Sequence, residues 1–175
     1  MKIYFDGCSF TVGDELQHRK KNRYSRIIAD KLGAIDYNFA RSGGSNRRIV
    51  RNLIEKELSS YDMFIIQLTK NIRTEYYDGT DWIRIKYPVK YESGEFRGGM
   101  NKFWDEYYNN IYHEKYGVVD REICHHAILN LLNGKKYFIL DIDQCRKIAG
   151  SNRANGGHPN EKGHEFIAKY ILDNV

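Results

Sequence analysis

Residues Met63 to Leu68 read M-F-I-I-Q-L, a nearly continuous apolar run of strand length. A strand with one wet face alternates apolar with polar residues. An unbroken run instead fits a strand covered on both faces, as in a parallel sheet sandwiched between helices. Parallel neighbours need long crossover connections, usually helical, and the flanking sequence supplies them. Lys2 to Asp6 is a short β-rich segment ending in Gly7-Cys8-Ser9, after which Thr11 to Leu16 is polar and loop-like. Arg23 to Leu32 sets Ile27, Ile28 and Leu32 at helical spacing before Gly33, which sits where a C-cap glycine belongs. Ala34 to Ala40 reads as a second strand. Arg41 to Asn46 is a tight loop in which Ser45 or Asn46 caps a helix whose apolar face is Ile49, Val50, Leu53, Ile54 and Leu58.

The C-terminal half repeats the alternation. Asp120 is placed to cap a helix with Ile123, Ala127, Ile128, Leu131 and Leu132 on one face, closed by Gly134. Lys136 to Ile142 then reads as a fourth strand. After a loop from Ser151 to Pro159, a last helix from about Asn160 to Asp173 is expected to bury Phe166, Ile167, Tyr170 and Ile171. Asn71 to Tyr116 breaks the pattern: periodicity is poor, tyrosines are frequent and both tryptophans fall there. It predicts a hairpin-like aromatic insertion at about 78–116, with a helix near Asn101 to Tyr112. The whole is a single domain, 1–175, of the three-layer α/β/α type, flavodoxin-like, with a central parallel sheet.

Composition narrows the functional classes. Cys8, Cys124 and Cys145 are too few and too scattered for a disulfide framework or a paired C-x-x-C zinc site, which favours a reducing compartment. The first apolar run is interrupted by Lys2 and stopped by Asp6, so no signal peptide, membrane span or Sec export is expected. Adjacent His125 and His126 on a helix point about 100° apart and make a poor metal site. Asp141 and Asp143 share a strand face and could hold Mg2+, but a structural role is the simpler reading. No metal and no cofactor is therefore expected. The net charge of +5 permits an acidic partner. The run His18 to Arg23, with Arg41, Arg47, Arg48 and Arg51, could collect phosphate or anionic polysaccharide, or could be a solvated face.

Ligands of open parallel sheets bind at the carboxyl ends of the strands. Four loops carry chemistry there: Asp6 to Thr11, Asn38 to Asn46, Gln67 to Arg73, and Asn155 to Asn160. A serine hydroxyl needs an adjacent base to become a nucleophile, and Ser9 with His158 would be that pair. An acyl-transfer oxyanion needs fixed donors, for which Ser9 N–H, Gly43 N–H and the Asn71 amide are the candidates.

These residues resemble the SGNH (GDSL-type) hydrolase superfamily over nearly the whole chain. Gly7-Cys8-Ser9-Phe10-Thr11 is similar to its nucleophile block, with Cys8 where the family has aspartate. Gly43 stands in the place of its oxyanion glycine, and Asn71 of Thr69-Lys70-Asn71-Ile72 in the place of its oxyanion asparagine, with Thr69 the fallback. Asn155-Gly156-Gly157-His158 looks like its Asp-x-x-His block, with Asn155 where the triad acid would be. The resemblance implies a serine esterase acting on a small acyl ester, with O-acetyl groups on carbohydrate as the substrate class. An acyltransferase could use the same site. An asparagine can hold a ring N–H without neutralising an imidazolium, so a dyad-like or slower enzyme is expected, or an acid supplied from elsewhere, such as Asp143. Trp82, Tyr87, Trp104, Tyr107 and Tyr108 of the insertion could stack on sugar rings, though packing against the sheet is the default. His164 is expected on a helix surface. Similarity to minimal phage and bacterial members suggests a cytoplasmic or virion-associated setting. The rival is a catalytically degraded protein of this fold that binds glycan or nucleic acid.

Overall fold

A computed structural model describes residues 1–85, 89–90, 96–97 and 102–175. In chain order the elements are β1 (Lys2–Asp6), α1 (Ser9–Val12), α2 (Arg19–Asn22), α3 (Tyr24–Lys31), β2 (Ile35–Asn38) and α4 (Asn46–Glu55). After a 3-10 turn come β3 (Met63–Leu68), β4 (Glu75–Tyr77), β5 (Trp82–Arg84), β6 (Val89–Lys90) and β7 (Phe96–Arg97). The chain closes with α5 (Lys102–Asn110), α6 (Glu114–Leu131), β8 (Tyr137–Asp141), α7 (Ile142–Ala149) and α8 (Glu161–Leu172).

The apolar run at Met63 is the inner strand its pattern demands. All six β3 residues are buried, and β3 pairs in parallel with β1 on one side and β8 on the other. The sheet order is β2-β1-β3-β8, all parallel. Side chains of successive residues point to opposite faces, and two cores result. Ile3, Phe5, Met63, Ile65 and Leu140 pack with Tyr24, Ile28, Cys145, Ile167 and Ile171 of α3, α7 and α8. Tyr4, Phe64 and Ile66 pack with Ile49, Leu53, Ile128 and Leu132 around α4 and α6. This is the expected three-layer α/β/α arrangement.

Several local expectations are corrected. Thr11 to Leu16 is not all loop, because Ser9 to Val12 forms one helical turn closed by Gly13. Ser45, rather than Asn46, caps α4, its hydroxyl accepting from Arg48 N. The helix assigned to Asp120 starts earlier, at Glu114, capped by His113; Asp120 lies well inside it and pairs with Arg47. Helix α7 was not anticipated, although Asp141 and Gln144 form a reciprocal capping box at its start. Helix α8 buries Ile167 and Ile171 as expected, but Phe166 and Tyr170 are exposed. The hydrophobic stripe is instead completed by Gly163, His164 and Ala168.

His164 is thus fully buried rather than on the surface. Its Nδ1 accepts from the Tyr24 backbone N–H at 3.1 Å, its ring stacks on Tyr24, and its buried Nε2 has no hydrogen-bond partner among the described residues. Burial, and secondarily the proximity of His158, pushes its pKa down to about 4. A histidine with a depressed folded pKa binds fewer protons when folded than unfolded. Stability is therefore lost as pH falls from about 6.5 to about 4, by on the order of 3 kcal/mol. Urea unfolding at neutral pH and near pH 5 should show this slope in the wild type, and His164→Gln should lack it. The difference between the two proteins isolates the histidine, because Asp6, whose carboxyl burial raises, titrates with opposite sign in both.

Candidate active site

The sheet order reverses direction between β1 and β3, since β2 lies on one side of β1 and β3 on the other. The loops leaving β1 and β3 therefore diverge and open a crevice at that point. Ser9 lies at the mouth of the first loop and Thr69 to Asn71 at that of the second.

The serine turn is held from beneath. Gln67 Oε1, from β3, accepts from Cys8 N, Cys8 Sγ and Thr11 Oγ1, each at 3.2 Å. Thr11 Oγ1 also shares a 2.7 Å hydrogen bond with Tyr24 OH. Gly7 permits this approach, because a Cβ there would collide with Thr11 Oγ1 and come within 2.9 Å of Gln67 Cβ. Preceding it, the buried Asp6 carboxylate pairs with Arg48 at 2.9 Å and accepts from Gly7 N, Asn52 Nδ2 and Tyr4 OH. Arg48 also donates to Phe39 O, and Gly7 O accepts from Arg41 N, so the loop after β2 is tied to the serine turn. Ser9 itself is buried at the first position of α1, where a helix leaves backbone N–H groups without intrahelical acceptors. Its hydroxyl donates to Cys8 Sγ at 3.8 Å. Among the described residues neither His158 nor Asn71 is its hydrogen-bond partner.

His158 packs its ring edge against Phe10, the residue after Ser9, with centroids 5.4 Å apart. Its Nδ1 lies 2.6 Å from Glu15 Oε2, which also accepts from the His158 backbone N–H at 3.1 Å. Glu15 Oε1 accepts from Gly156 N at 2.8 Å. The hydrogen bonds from His158 hold the Glu15 carboxyl below the usual range. Glu15 was not singled out in the sequence; only the neighbouring Gly13, whose left-handed conformation turns the chain, hints at the bend that brings it here. Neither candidate acid is in this place. Asn155 is exposed at the tip of a turn closed by Gly157 N to Ala154 O. Asp143 stands out from the first turn of α7, its side chain 75% exposed and paired with Arg146. The capping box at Asp141 turns the chain into a helix there, so Asp143 starts α7 instead of continuing β8.

Gly43 adopts φ +71° in the loop after β2, beside the guanidinium of Arg84, which donates to Ser42 O. Hairpin β4–β5 of the insertion thereby reaches the glycine loop. Asn71 and Thr69 line a cavity of about 400 Å3 with Ile72, Tyr112, Arg121 and Arg146, within the size range of small-molecule sites. Arg146 also lies over the Phe10 ring. Thr69 Oγ1 is buried with no partner among the described residues, while its backbone is clamped in both directions by the Asn46 amide.

The remaining motifs are largely absorbed by packing. Arg23 pairs with Asp36, Arg47 with Asp120, Arg48 with Asp6 and Arg51 with Glu75, so four of the arginines grouped as a basic face serve internal carboxylates. Trp82 lies under Arg51 and beside Tyr77; Trp104 contacts Tyr76 and Tyr107; Tyr108 is buried. Tyr87 lies outside the described residues. Burial pushes the Cys124 thiol up to about 11. Asp141 caps α7 and binds Arg121. Among the described residues no group of three or more His, Cys, Asp or Glu could hold a metal, and no helix is long and apolar enough to cross a membrane.

A lipolytic protein of the G-D-S-L family from Desulfitobacterium hafniense superposes on this chain with a TM-score of 0.51 at 11% identity, covering 99% of both chains. The fold is SGNH/GDSL hydrolase-like. A catalytic mutant of an acetylxylan esterase from Geobacillus stearothermophilus aligns with a TM-score of 0.46 at 12% identity, over 98% of this chain and 92% of that one. No family model and no curated protein matches the sequence. In the order of elements Ser9 follows β1 and His158 precedes α8.

Proposed function

We propose that this protein is a serine ester hydrolase of the SGNH type, acting on a small acyl ester. The observation that carries the reading is the pairing of two loops. Ser9 sits on a turn fixed by Gln67 and Asp6 at the sheet's switch point, and His158 packs on the next residue with its Nδ1 already engaged. Nε2 is then the nitrogen left to face a hydroxyl. Ser9 Oγ attacks the ester carbonyl carbon as its proton passes to His158 Nε2. The oxyanion that forms is received by Ser9 N–H, Gly43 N–H and the Asn71 amide, each donor worth roughly 3 kcal/mol. Collapse breaks the bond to the alcohol oxygen, which takes the proton from Nε2, and water then repeats the cycle on the acyl-enzyme. Transfer to a second alcohol would use the same intermediate.

The substrate class we favour is an O-acetylated carbohydrate. Its support is that the β4–β5 hairpin of the insertion reaches the Gly43 loop through Arg84. The nucleic-acid alternative rests on the basic run, and the internal pairing of four arginines weakens it.

The experiment is labelling with a fluorophosphonate probe together with p-nitrophenyl acetate hydrolysis, comparing wild type with Ser9→Ala. Wild type should label and turn over; the variant should do neither. Equal behaviour of the two would refute the reading, and binding of DNA or RNA that weakens steeply with salt would favour the alternative.

A further inference from the structure

We propose that Glu15 is the positioning carboxylate of the Ser9–His158 pair, a role the sequence resemblance would give to Asn155. The inference rests on the ester-hydrolase reading. Three donors converge on one side chain: Gly156 N on Oε1, and His158 N and Nδ1 on Oε2. A carboxylate is acceptor-only and can take all three, whereas an amide has a single acceptor oxygen and would turn an NH2 toward a donor. With a carboxylate at Nδ1, that nitrogen must donate, so the neutral ring carries its proton there and presents Nε2 as the acceptor. The hydrogen-bonded acid is held ionised, as its lowered pKa indicates.

The backbones on both sides are specialised for this contact. Glu15 has φ +69°, the one left-handed conformation of a non-glycine among the described residues. Such a conformation costs on the order of 1 kcal/mol or more and persists where the surroundings fix it. Opposite it, any Cβ at Gly156 would collide with the Glu15 carboxylate. Nucleophile and carboxylate thus both come from the segment after β1, with the base inserted between them from the loop before α8. Among the described residues the other ionisable groups near the base include His164 on α8, and Arg146 on α7, which lies over the Phe10 ring that the base packs against.

During acylation the imidazolium forms as Ser9 Oγ bonds to carbon, and Glu15 faces that charge without itself taking the proton. The proton leaves from Nε2 to the departing alcohol. Removing the carboxylate charge should destabilise the imidazolium and spoil the tautomer while leaving substrate contacts in place.

The test measures kcat and KM for p-nitrophenyl acetate from about pH 5 to 9 in wild type, Glu15→Gln, Gly156→Ala and Asn155→Ala. Glu15→Gln should lower kcat by about 10^2 to 10^4-fold, with KM changed by less than about threefold, and should move the acidic limb of kcat/KM to lower pH. Gly156→Ala, which keeps the charge but displaces it, should also lose kcat, and Asn155→Ala should stay within about twofold of wild type. Circular dichroism identifies any variant that fails to fold; if Glu15→Gln does, Gly156→Ala decides. An active wild type with Glu15→Gln within about threefold of it, or with kcat lowered but the limb unmoved, would overturn the role of Glu15 alone. A wild type no faster than Ser9→Ala would overturn the ester-hydrolase reading and this one with it.

Discussion

Ser9→Ala should reduce ester turnover by at least ~10^4-fold and abolish fluorophosphonate labelling, with little change in the unfolding transition. Removing the nucleophile of a serine hydrolase costs up to about 10^6 in kcat, and the remaining oxyanion donors and binding contacts leave a residue of about 10^3 to 10^4 over water. The expected structural cost is small for a specific reason. Ser9 Oγ has one long hydrogen bond, to Cys8 Sγ at 3.8 Å, whereas the turn is fixed by groups on its neighbours: Cys8 N, Cys8 Sγ and Thr11 Oγ1 on Gln67. Activity and stability should therefore separate. A variant that lost turnover and also melted far below wild type would show the hydroxyl to be a packing element, whereas a normal melt with no labelling is the signature of a nucleophile. Steady-state turnover beside a thermal melt reads both.

The second large effect is on stability. Arg48→Met should cost about 3–5 kcal/mol, because it leaves the Asp6 carboxylate buried without its cation. The Asp6 side chain is fully inaccessible and that of Arg48 10% exposed, so water can restore little. Burial already raises the Asp6 pKa against the opposing pull of Arg48, Asn52 and Gly7 N–H, and losing the guanidinium raises it further. The carboxyl will then tend to take up a proton, which limits the loss. For a chain of this size that loss corresponds to a Tm lowered by about 10 °C. Asp6→Asn/Arg48→Met should lie closer to wild type than Arg48→Met alone, since no charge is then stranded. A single variant within about 1 kcal/mol of wild type in urea unfolding would mean that the pair contributes little. Because Arg48 also holds Phe39 O, and the Gly43 loop follows Phe39, residual activity should fall as well.

The layered architecture was legible because it depends on local patterns. Six consecutive buried positions in β3, the β-rich run of β1 and helical spacing in α3, α4 and α8 each follow from composition, period and burial, which neighbouring residues encode. Boundaries failed where one polar side chain decided them. Asp120 looked like a cap but serves Arg47, a residue 73 positions away. His164 looked like a surface histidine but fills a slot beneath Tyr24. No short window of sequence contains those partners.

The chain by itself determined a parallel α/β sheet with a serine turn after its first strand and a histidine before its last helix. These follow from glycines, apolar runs and a spacing that any structure must honour. Tertiary structure alone decided which carboxylate meets that histidine, which arginines are spent on internal acids and what holds the serine turn. Glu15 and His158 are 143 positions apart, and their meeting depends on how the turn after α1 and the loop before α8 fold onto one end of the sheet. Ionic partnerships act over a few ångströms in space, and sequence distance places no limit on them.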